Sequence, residues 1–119
     1  MNCRKETFDR DHRSTFPIQL ILVDCQEDEL PISSDFRLIF LGSKSGNNKF
    51  EVSQKDGKME NCYVENGELF ARFENHNLGG LLVFEIWEFF EDKNAGAGYW
   101  RCVRTEDALN ENGQQIRII

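Results

Sequence analysis

The chain has 119 residues, of which 39% are hydrophobic and ten are phenylalanine, so it is long enough to bury one core as a single domain. Its formal net charge of −7 would repel phosphate groups, which argues against nucleic acid and acidic membranes as partners. Proteins or neutral glycans match an acidic surface better.

The first fourteen residues predict a flexible, charged N-terminal arm. They mix acidic and basic side chains with the single aromatic residue Phe8, and they lack the apolar core of a secretory signal peptide. Export through such a peptide is therefore not expected. His12 lies among charged residues that could suggest a metal site, but the sequence offers no second set of ligands. Residues 15–119 are predicted to form one domain.

From residue 16 onward the dominant hydrophobic period is two, as in β-strands. Residues 16–23 predict a first strand, in which Pro17 indicates a sheet edge because proline has no backbone N–H to donate. Residues 35–41 predict a second strand. The acidic loop between them could collect a calcium ion, but it lacks the regular oxygen spacing of a calcium-binding loop, so a solvated loop is favoured. The acidic residues concerned are Asp24, Glu27, Asp28 and Glu29.

The middle of the chain predicts a meander of short strands. Residues 42–48 form a hairpin loop by composition, because their glycines and lysine do not meet the spacing of a phosphate-binding loop. The Asp-Gly pair at Asp56 and the Asn-Gly pair at Asn66 predict two tight hairpin turns. The strands that these turns would join cover residues 50–54, 61–65 and 68–73. The two hairpins are expected to share the strand around Cys62.

The last third contains the most apolar segment of the chain. Residues 81–90 predict a long strand that is apolar on both faces, which requires cover from another protein or burial on both sides. Residues 99–105 and 115–119 predict two further strands. These elements together predict an all-β fold, a two-sheet antiparallel β-sandwich of seven to eight strands with an immunoglobulin-like or jelly-roll-like layout.

The four cysteines lie far apart and lack the C-x-x-C spacing and the nearby histidines of a zinc site. We interpret Cys25, Cys62 and Cys102 as small hydrophobic residues of strands, and Cys3 as a free thiol on the arm. No metal site and no cofactor are predicted.

A polar segment before the long strand predicts a structural corner. Its members are Asn75, His76, Asn77, Leu78, Gly79 and Gly80. Asparagine and glycine accept left-handed backbone conformations, so this composition suits a sharp change of direction between sheets. His76 could instead act as a general base, but no nucleophile motif lies nearby, so no catalytic residue is predicted.

Aromatic and apolar residues near both ends of the chain suggest two kinds of contact surface. A partner interface is predicted, because the chain has more apolar surface than a single isolated domain needs. These residues are Phe8, Trp87, Phe89, Ile116, Ile118 and Ile119. A platform for a sugar ring is the alternative, formed by Trp87, Tyr99 and Trp100.

Several of these segments occur in an order that resembles a known family. Asn61-Cys62, the stretch 64–67, the stretch 73–79, Leu81 and Glu85 resemble a motif in β-rich structural proteins of phages and prophages of Bacteroidetes. The resemblance covers residues 16–105, and its most specific part is 75–79. In that family a proline follows the glycine of the corner, whereas here Gly79 and Gly80 stand together.

The resemblance implies a small virion protein of the baseplate or fibre-attachment type, assembled in the host cytoplasm. It would be an adaptor or decoration of the tail, baseplate or head fibre that acts through protein contacts with other virion proteins and with further copies of itself. Two other hypotheses belong to different classes, a carbohydrate-binding β-sandwich and an enzyme. The enzyme hypothesis lacks acid, base and nucleophile partners in the sequence.

Overall fold

The computed structural model describes residues 8–11, 14–24, 26–92, 94 and 96–119. Within these residues the chain is all-β and contains no helix. The described residues form ten strands, more than the seven to eight predicted. In chain order the strands are β1 Phe8–Arg10, β2 Phe16–Leu20, β3 Phe36–Gly42, β4 Phe50–Lys55, β5 Lys58–Glu60, β6 Cys62–Glu65, β7 Glu68–Phe73, β8 Gly80–Asp92, β9 Ala97–Asp107 and β10 Ile116–Ile118.

The strands form two curled sheets. The larger has the order β1-β10-β8-β3-β4-β5, with β9 also paired to β8, and the smaller has the order β2-β7-β6. All neighbouring strands pair antiparallel except β1 and β10, which are parallel. The edge position predicted from Pro17 is confirmed, because β2 ends the smaller sheet.

The hydrophobic core joins residues of both sheets around Phe73, which is fully buried. The Phe73 ring stacks on Phe16 and on Phe50 at 5.0 Å between ring centroids, and meets Phe40 edge-on at 4.8 Å. Phe16 and Phe73 belong to the smaller sheet, whereas Phe40 and Phe50 belong to the larger. Each buried phenylalanine stabilises the fold by about 1.5–3 kcal/mol.

The predicted hairpin turns are confirmed, but the strand that was expected to join them is split at Asn61. Asp56 and Asn66 and the glycines that follow them all have positive φ, as a type I′ turn requires. Asn61 also has φ of 56°, and its side-chain amide donates to the carbonyl of Glu51 at 2.8 Å. Before Asn61 the chain pairs with β4 in the larger sheet, and after it with β7 in the smaller. The shared-strand prediction is therefore wrong.

Two other boundaries differ from the prediction. Residues 8–10 of the predicted arm form β1, because they pair with β10. Phe8 lies opposite Ile116 at the start of this pairing. The remaining arm residues 1–7 and 12–13, with Cys3 and His12, lie outside the described residues, as does Cys25. The first long strand ends at Leu20 rather than residue 23, and Val23 forms only an isolated bridge with Glu29.

The β8–β9 hairpin continues beyond the rest of the larger sheet. On one edge β8 pairs with β3 only through residues 82–87, whereas β9 follows it on the other edge as far as residue 92. A register shift opposite Ile86 and Trp87 leaves Val103 as an extra residue, which is a β-bulge. We call the part beyond this point, residues 88–92 and 97–101, the distal ribbon. Within the described chain it pairs only with itself.

Candidate functional site

The predicted corner is held by hydrogen bonds to the loop after β3. The backbone N–H of Gly79 donates to the Ser45 hydroxyl at 2.8 Å, and the Lys44 N–H donates to the carbonyl of Gly79 at 2.9 Å. Leu81 N–H donates to the Ser43 hydroxyl at 2.9 Å. These bonds join residues more than thirty positions apart, so the two loops are fixed to one another as a rigid clasp.

Glycines allow the close approach of the two loops in this clasp. A Cβ atom on Gly42 would overlap the carbonyl oxygen of Gly79 and the Ser45 hydroxyl. Gly80 has φ of +84°, and a Cβ there would lie 2.8 Å from the Lys44 nitrogen. Gly80 is therefore needed for two reasons: its backbone has a positive φ, and there is no room for a Cβ atom at this position.

His76 lies at the back of the corner with its side chain only 3% exposed. Its ring meets the rings of Phe16, Phe50 and Phe73 edge-on, at centroid distances of 5.9–6.3 Å. Its Nδ1 atom accepts the backbone N–H of Leu78 at 3.0 Å. Because Nδ1 accepts, the proton of the neutral ring is placed on Nε2. His76 thus connects the corner to the aromatic core.

We expect His76→Phe to lower the free energy of unfolding by about 1–2 kcal/mol, because the buried N–H of Leu78 loses its acceptor while the ring remains. Chemical denaturation measures this. In His76→Asn a carbonyl oxygen takes a place close to that of Nδ1, so this variant separates loss of the hydrogen bond from loss of the ring. A His76→Phe protein as stable as the native chain would show that the Leu78 bond contributes nothing.

A cavity opens at this clasp, and we call it the corner cleft. It has a volume of about 1270 Å³ and is lined by residues 43–45, Asn48, 75–81 and 117–119. Asn75 and Asn77 both have positive φ, and the Asn48 side chain donates to the Asn77 carbonyl at 3.1 Å. The cleft was missed at the sequence level because its three segments are far apart in the chain. Only the glycines at 42 and 46 marked the loop.

The aromatic residues of β8 and β9 divide between the two faces of the hairpin. Phe89 meets Trp100 edge-on at 5.4 Å on the face away from the core, and Phe90 stacks on Tyr99 at 5.9 Å on the other face. Tyr99 and Trp100 are adjacent in one strand, so their side chains point in opposite directions. The predicted sugar platform of Trp87, Tyr99 and Trp100 is therefore wrong as a single surface.

The face that carries Trp87 and Phe89 is covered in part by basic side chains. The Arg37 guanidinium lies 5.0 Å from the Trp87 ring centroid, and the Lys55 ammonium lies 4.5 Å from that of Phe89. Lys55 also pairs with Asp35 at 3.1 Å. The backbone N–H of Asp56 and then Lys55 lower the pKa of Asp35. This stabilisation is present above the ordinary pKa of Asp35 and is lost as the pH falls.

The predicted interface residues lie in different environments. Ile116 and Ile118 are buried in the core, with exposures of 2% and 3%, and cannot contact a partner in this fold. The alternation of β10 places both on its inner face. Phe8 packs against the core, and the Arg10 guanidinium lies 4.4 Å from its ring centroid. Ile119 is 58% exposed, and Trp87 and Phe89 are partly exposed.

The remaining polar candidates have local structural roles. One Asp24 carboxylate oxygen accepts the backbone N–H groups of Gln26 and Asp28, at 2.8 and 3.0 Å, so it shapes the acidic loop. Cys62 and Cys102 lie half-buried in strands, as predicted. Burial raises the pKa of the Cys62 thiol, whose Sγ lies 3.3 Å from the Ser53 carbonyl.

The described residues also bear on metal binding and on membrane insertion. The described part of the chain contains no group of three or more His, Cys, Asp or Glu side chains placed to hold a metal ion. No helix in that part has the length and apolar character needed to cross a bilayer. Comparisons of the chain with protein-family models, with curated proteins and with solved structures gave no match.

Proposed function

We propose that this chain is a small structural module of a phage virion, which docks onto neighbouring proteins of the particle, including further copies of itself. Docking takes place through the distal ribbon. No chemical step is assigned to the chain, and its contribution is to hold components together.

The observation that carries this proposal is the isolation of the distal ribbon. Among the described residues, 88–92 pair only with β9, although the same strand is paired on both edges at 83–87. Tyr99, on the core-side face of the ribbon, is 50% exposed. The core-side face with Phe90 and Tyr99, and the two edges that are unpaired within the described residues, favour contact with another protein, because monomers rarely leave such surfaces uncovered.

The virion setting is supported by where the family-like residues lie. Asn61 carries the chain from one sheet to the other, Asn66 forms a hairpin turn, and the stretch 75–79 forms the corner. These are the positions at which the chain changes direction, so a related fold would need the same residue types there. The motif thus favours a shared scaffold with the phage structural proteins that it resembles.

We interpret the two sheets as the two layers of a β-sandwich. In support of this layout, phenylalanines of both sheets pack on one another in a single core, as they do between the layers of a sandwich. The curl of the larger sheet would bring β1 and β10 around towards the smaller one. In this interpretation the distal ribbon extends past the sandwich.

The docking proposal predicts concentration-dependent self-association of the purified chain. We expect size-exclusion chromatography with light scattering to give a mass that rises above the 13.9 kDa of one chain as the concentration increases. The double variant Phe90→Ser/Tyr99→Ser removes the stacked pair on the ribbon and is expected to restore the monomer. The loss follows from the apolar area that these rings would bury at a contact.

A matched control is present in the smaller sheet. Tyr63 and Phe70 also form a stacked cross-strand pair, at 5.5 Å, so Tyr63→Ser/Phe70→Ser changes the same chemistry away from the ribbon. Equal loss of association in the control would exclude the ribbon as the contact. A native chain that is monomeric at every concentration would contradict self-docking. Absence of the protein from particles purified from its host, measured by mass spectrometry, would contradict the virion assignment.

A further inference from the structure

We propose that the outer edge of β9 pairs with the same edge of a second copy of this chain, as two antiparallel strands related by a two-fold axis. This inference rests on the docking function proposed above and deepens it, because it names the occupant of one edge of the distal ribbon and the residues that meet there. The larger sheets of the two copies would then form one continuous sheet.

The first argument is the length of the edge that β9 leaves open. β9 has 11 residues, and within the described chain it pairs only with β8. Its residues Tyr99 and Val103 are 50% and 40% exposed. The strand contains neither proline nor lysine, two residue types that commonly protect a sheet edge. Such an edge offers its backbone N–H and C=O groups to another strand.

The second argument is that the charged residues of β9 share one face. Arg101 lies on the core-side face, because its guanidinium is 4.7 Å from the ring centroid of Phe90. Glu106 lies on the same face, because it is opposite Phe84, which packs against the core. Arg104 forms an ion pair with Glu106 at 2.8 Å and therefore shares that face. The β-bulge between Arg101 and Arg104 explains how two residues three positions apart point the same way.

The third argument is that these charges select one register for an antiparallel pair of β9 strands. Two registers overlap most of the strand and keep like faces together. One places Arg101 opposite Arg104 of the other copy, and the other places Arg101 opposite Glu106 of the other copy. Like charges directly opposite each other destabilise a sheet, whereas opposite charges stabilise it. The second register is therefore favoured, and the two-fold axis forms its Arg101–Glu106 contact twice.

The selected register also fits the local geometry of β9. Its axis falls between Val103 and Arg104, so the bulges of the two copies would face one another and bend both strands symmetrically. Glu106 binds Arg104 of its own chain through Oε1. A carboxylate has two acceptor oxygens, so Glu106 can also accept Arg101 of the other copy.

The first test exchanges the charges at the contact and measures association by size-exclusion chromatography with light scattering. Arg101→Glu and Glu106→Arg each place like charges opposite one another at both ends of the contact. Each is expected to raise the Kd of the dimer at least about tenfold. An equimolar mixture of the two variants has opposite charges at both ends again, so we expect it to form a mixed dimer about as tight as the native one.

The mixture also separates the contact between copies from contacts within one chain. Arg101→Glu removes the contact of Arg101 with Phe90, and Glu106→Arg removes the ion pair with Arg104. Mixing the two variants leaves both losses in place. Restored association in the mixture is therefore expected only if the two positions meet across the interface.

The second test is a disulfide between the two copies. Cys102 lies opposite Trp87 and Thr105 opposite Glu85, and a hydrogen bond joins Trp87 to Glu85, so Cys102 and Thr105 are on the same face. In the selected register Cys102 is opposite Thr105 of the other copy. The Cα atoms of such a pair lie about 5.5 Å apart, within the range of a disulfide, whereas residues 102 and 105 of one strand are about 10 Å apart.

Thr105→Cys is therefore expected to give a covalent dimer under mild oxidation, measured by electrophoresis without reductant. The double variant Cys102→Ser/Thr105→Cys is the matched control and is expected to lose this dimer. If the native chain associates but the charge mixture stays monomeric, or if Thr105→Cys cross-links no more than its control, the edge pairing is overturned. Docking through the ribbon face, tested with Phe90→Ser/Tyr99→Ser, would then remain. A native chain that is monomeric at every concentration overturns the edge pairing together with self-docking.

Discussion

Phe73→Ala is expected to cost the most stability of any single change considered, about 3–5 kcal/mol of unfolding free energy. Phe73 is fully buried and contacts Phe16, Phe40 and Phe50, so its removal leaves a cavity at the junction of the two sheets. A loss of this size is a large part of the whole stability of a domain. Urea denaturation followed by tryptophan fluorescence provides the measurement.

Phe84 offers a matched control for this prediction. It belongs to the larger sheet and is only partly buried against the core, so Phe84→Ala leaves a smaller cavity. We expect it to cost clearly less than Phe73→Ala. Equal costs would mean that the two sheets do not rely on Phe73 as their common contact.

Gly42→Ala is expected to destabilise the protein by about 1–3 kcal/mol, because the new methyl group overlaps the backbone of Gly79 as well as the Ser45 hydroxyl, so a side-chain movement alone cannot relieve the overlap. It would lie 2.9 Å from the carbonyl carbon of Gly79 and would force the two loops of the clasp apart. The same separation would break the bonds between Ser45 and Gly79. Thermal unfolding, with a lowered midpoint, measures the effect.

Gly79→Ala is the control for the Gly42 prediction. Gly79 lies on the opposite side of the same contact, but a Cβ there would be 3.5 Å from its nearest neighbour, the Lys44 carbonyl oxygen, which is an ordinary contact distance. We expect nearly native stability for this variant. If Gly79→Ala were as harmful as Gly42→Ala, a general need for glycine, rather than the close backbone approach, would explain both.

The parts of the fold that follow from local chemistry were predictable. The Asp-Gly and Asn-Gly turns formed where expected, because both residues of each pair tolerate positive φ. The long strand at residues 81–90 also formed, as part of β8. One face, with Leu82, packs on the core, and the opposite face is half-buried beside Arg37 and Lys55. The apolar character of both faces at residues 82–87 therefore did not require a partner.

The break at Asn61 could not be read from the alternation of residues 61–65. Which sheet a strand joins depends on distant partners, here β4 before Asn61 and β7 after it. The wrong prediction that Ile116 and Ile118 belong to a partner interface has the same cause. A sequence pattern shows that one face of a strand is apolar without showing what covers that face. By contrast, the separation of Tyr99 from Trp100 followed directly from strand alternation and could have been predicted.

The corner was predictable as a turn, whereas the cleft beside it was not. Asn75, Asn77 and Gly80 all have the positive φ that their residue types permit. Lys44 and Arg117, however, reach the cleft from segments 73 residues apart, and no local pattern relates them. A candidate site assembled in this way becomes visible only when the sheets are in place.

The parallel pairing of β1 with β10 has a consequence for how the molecule forms. Phe8 lies opposite Ile116, and Arg117 pairs with Asp9, 108 positions away in the chain. Such a distant contact can only close when most of the polypeptide between is already ordered, which slows folding. We therefore expect β1 to pair last during folding. During unfolding it should separate first, before the aromatic core around Phe73 opens.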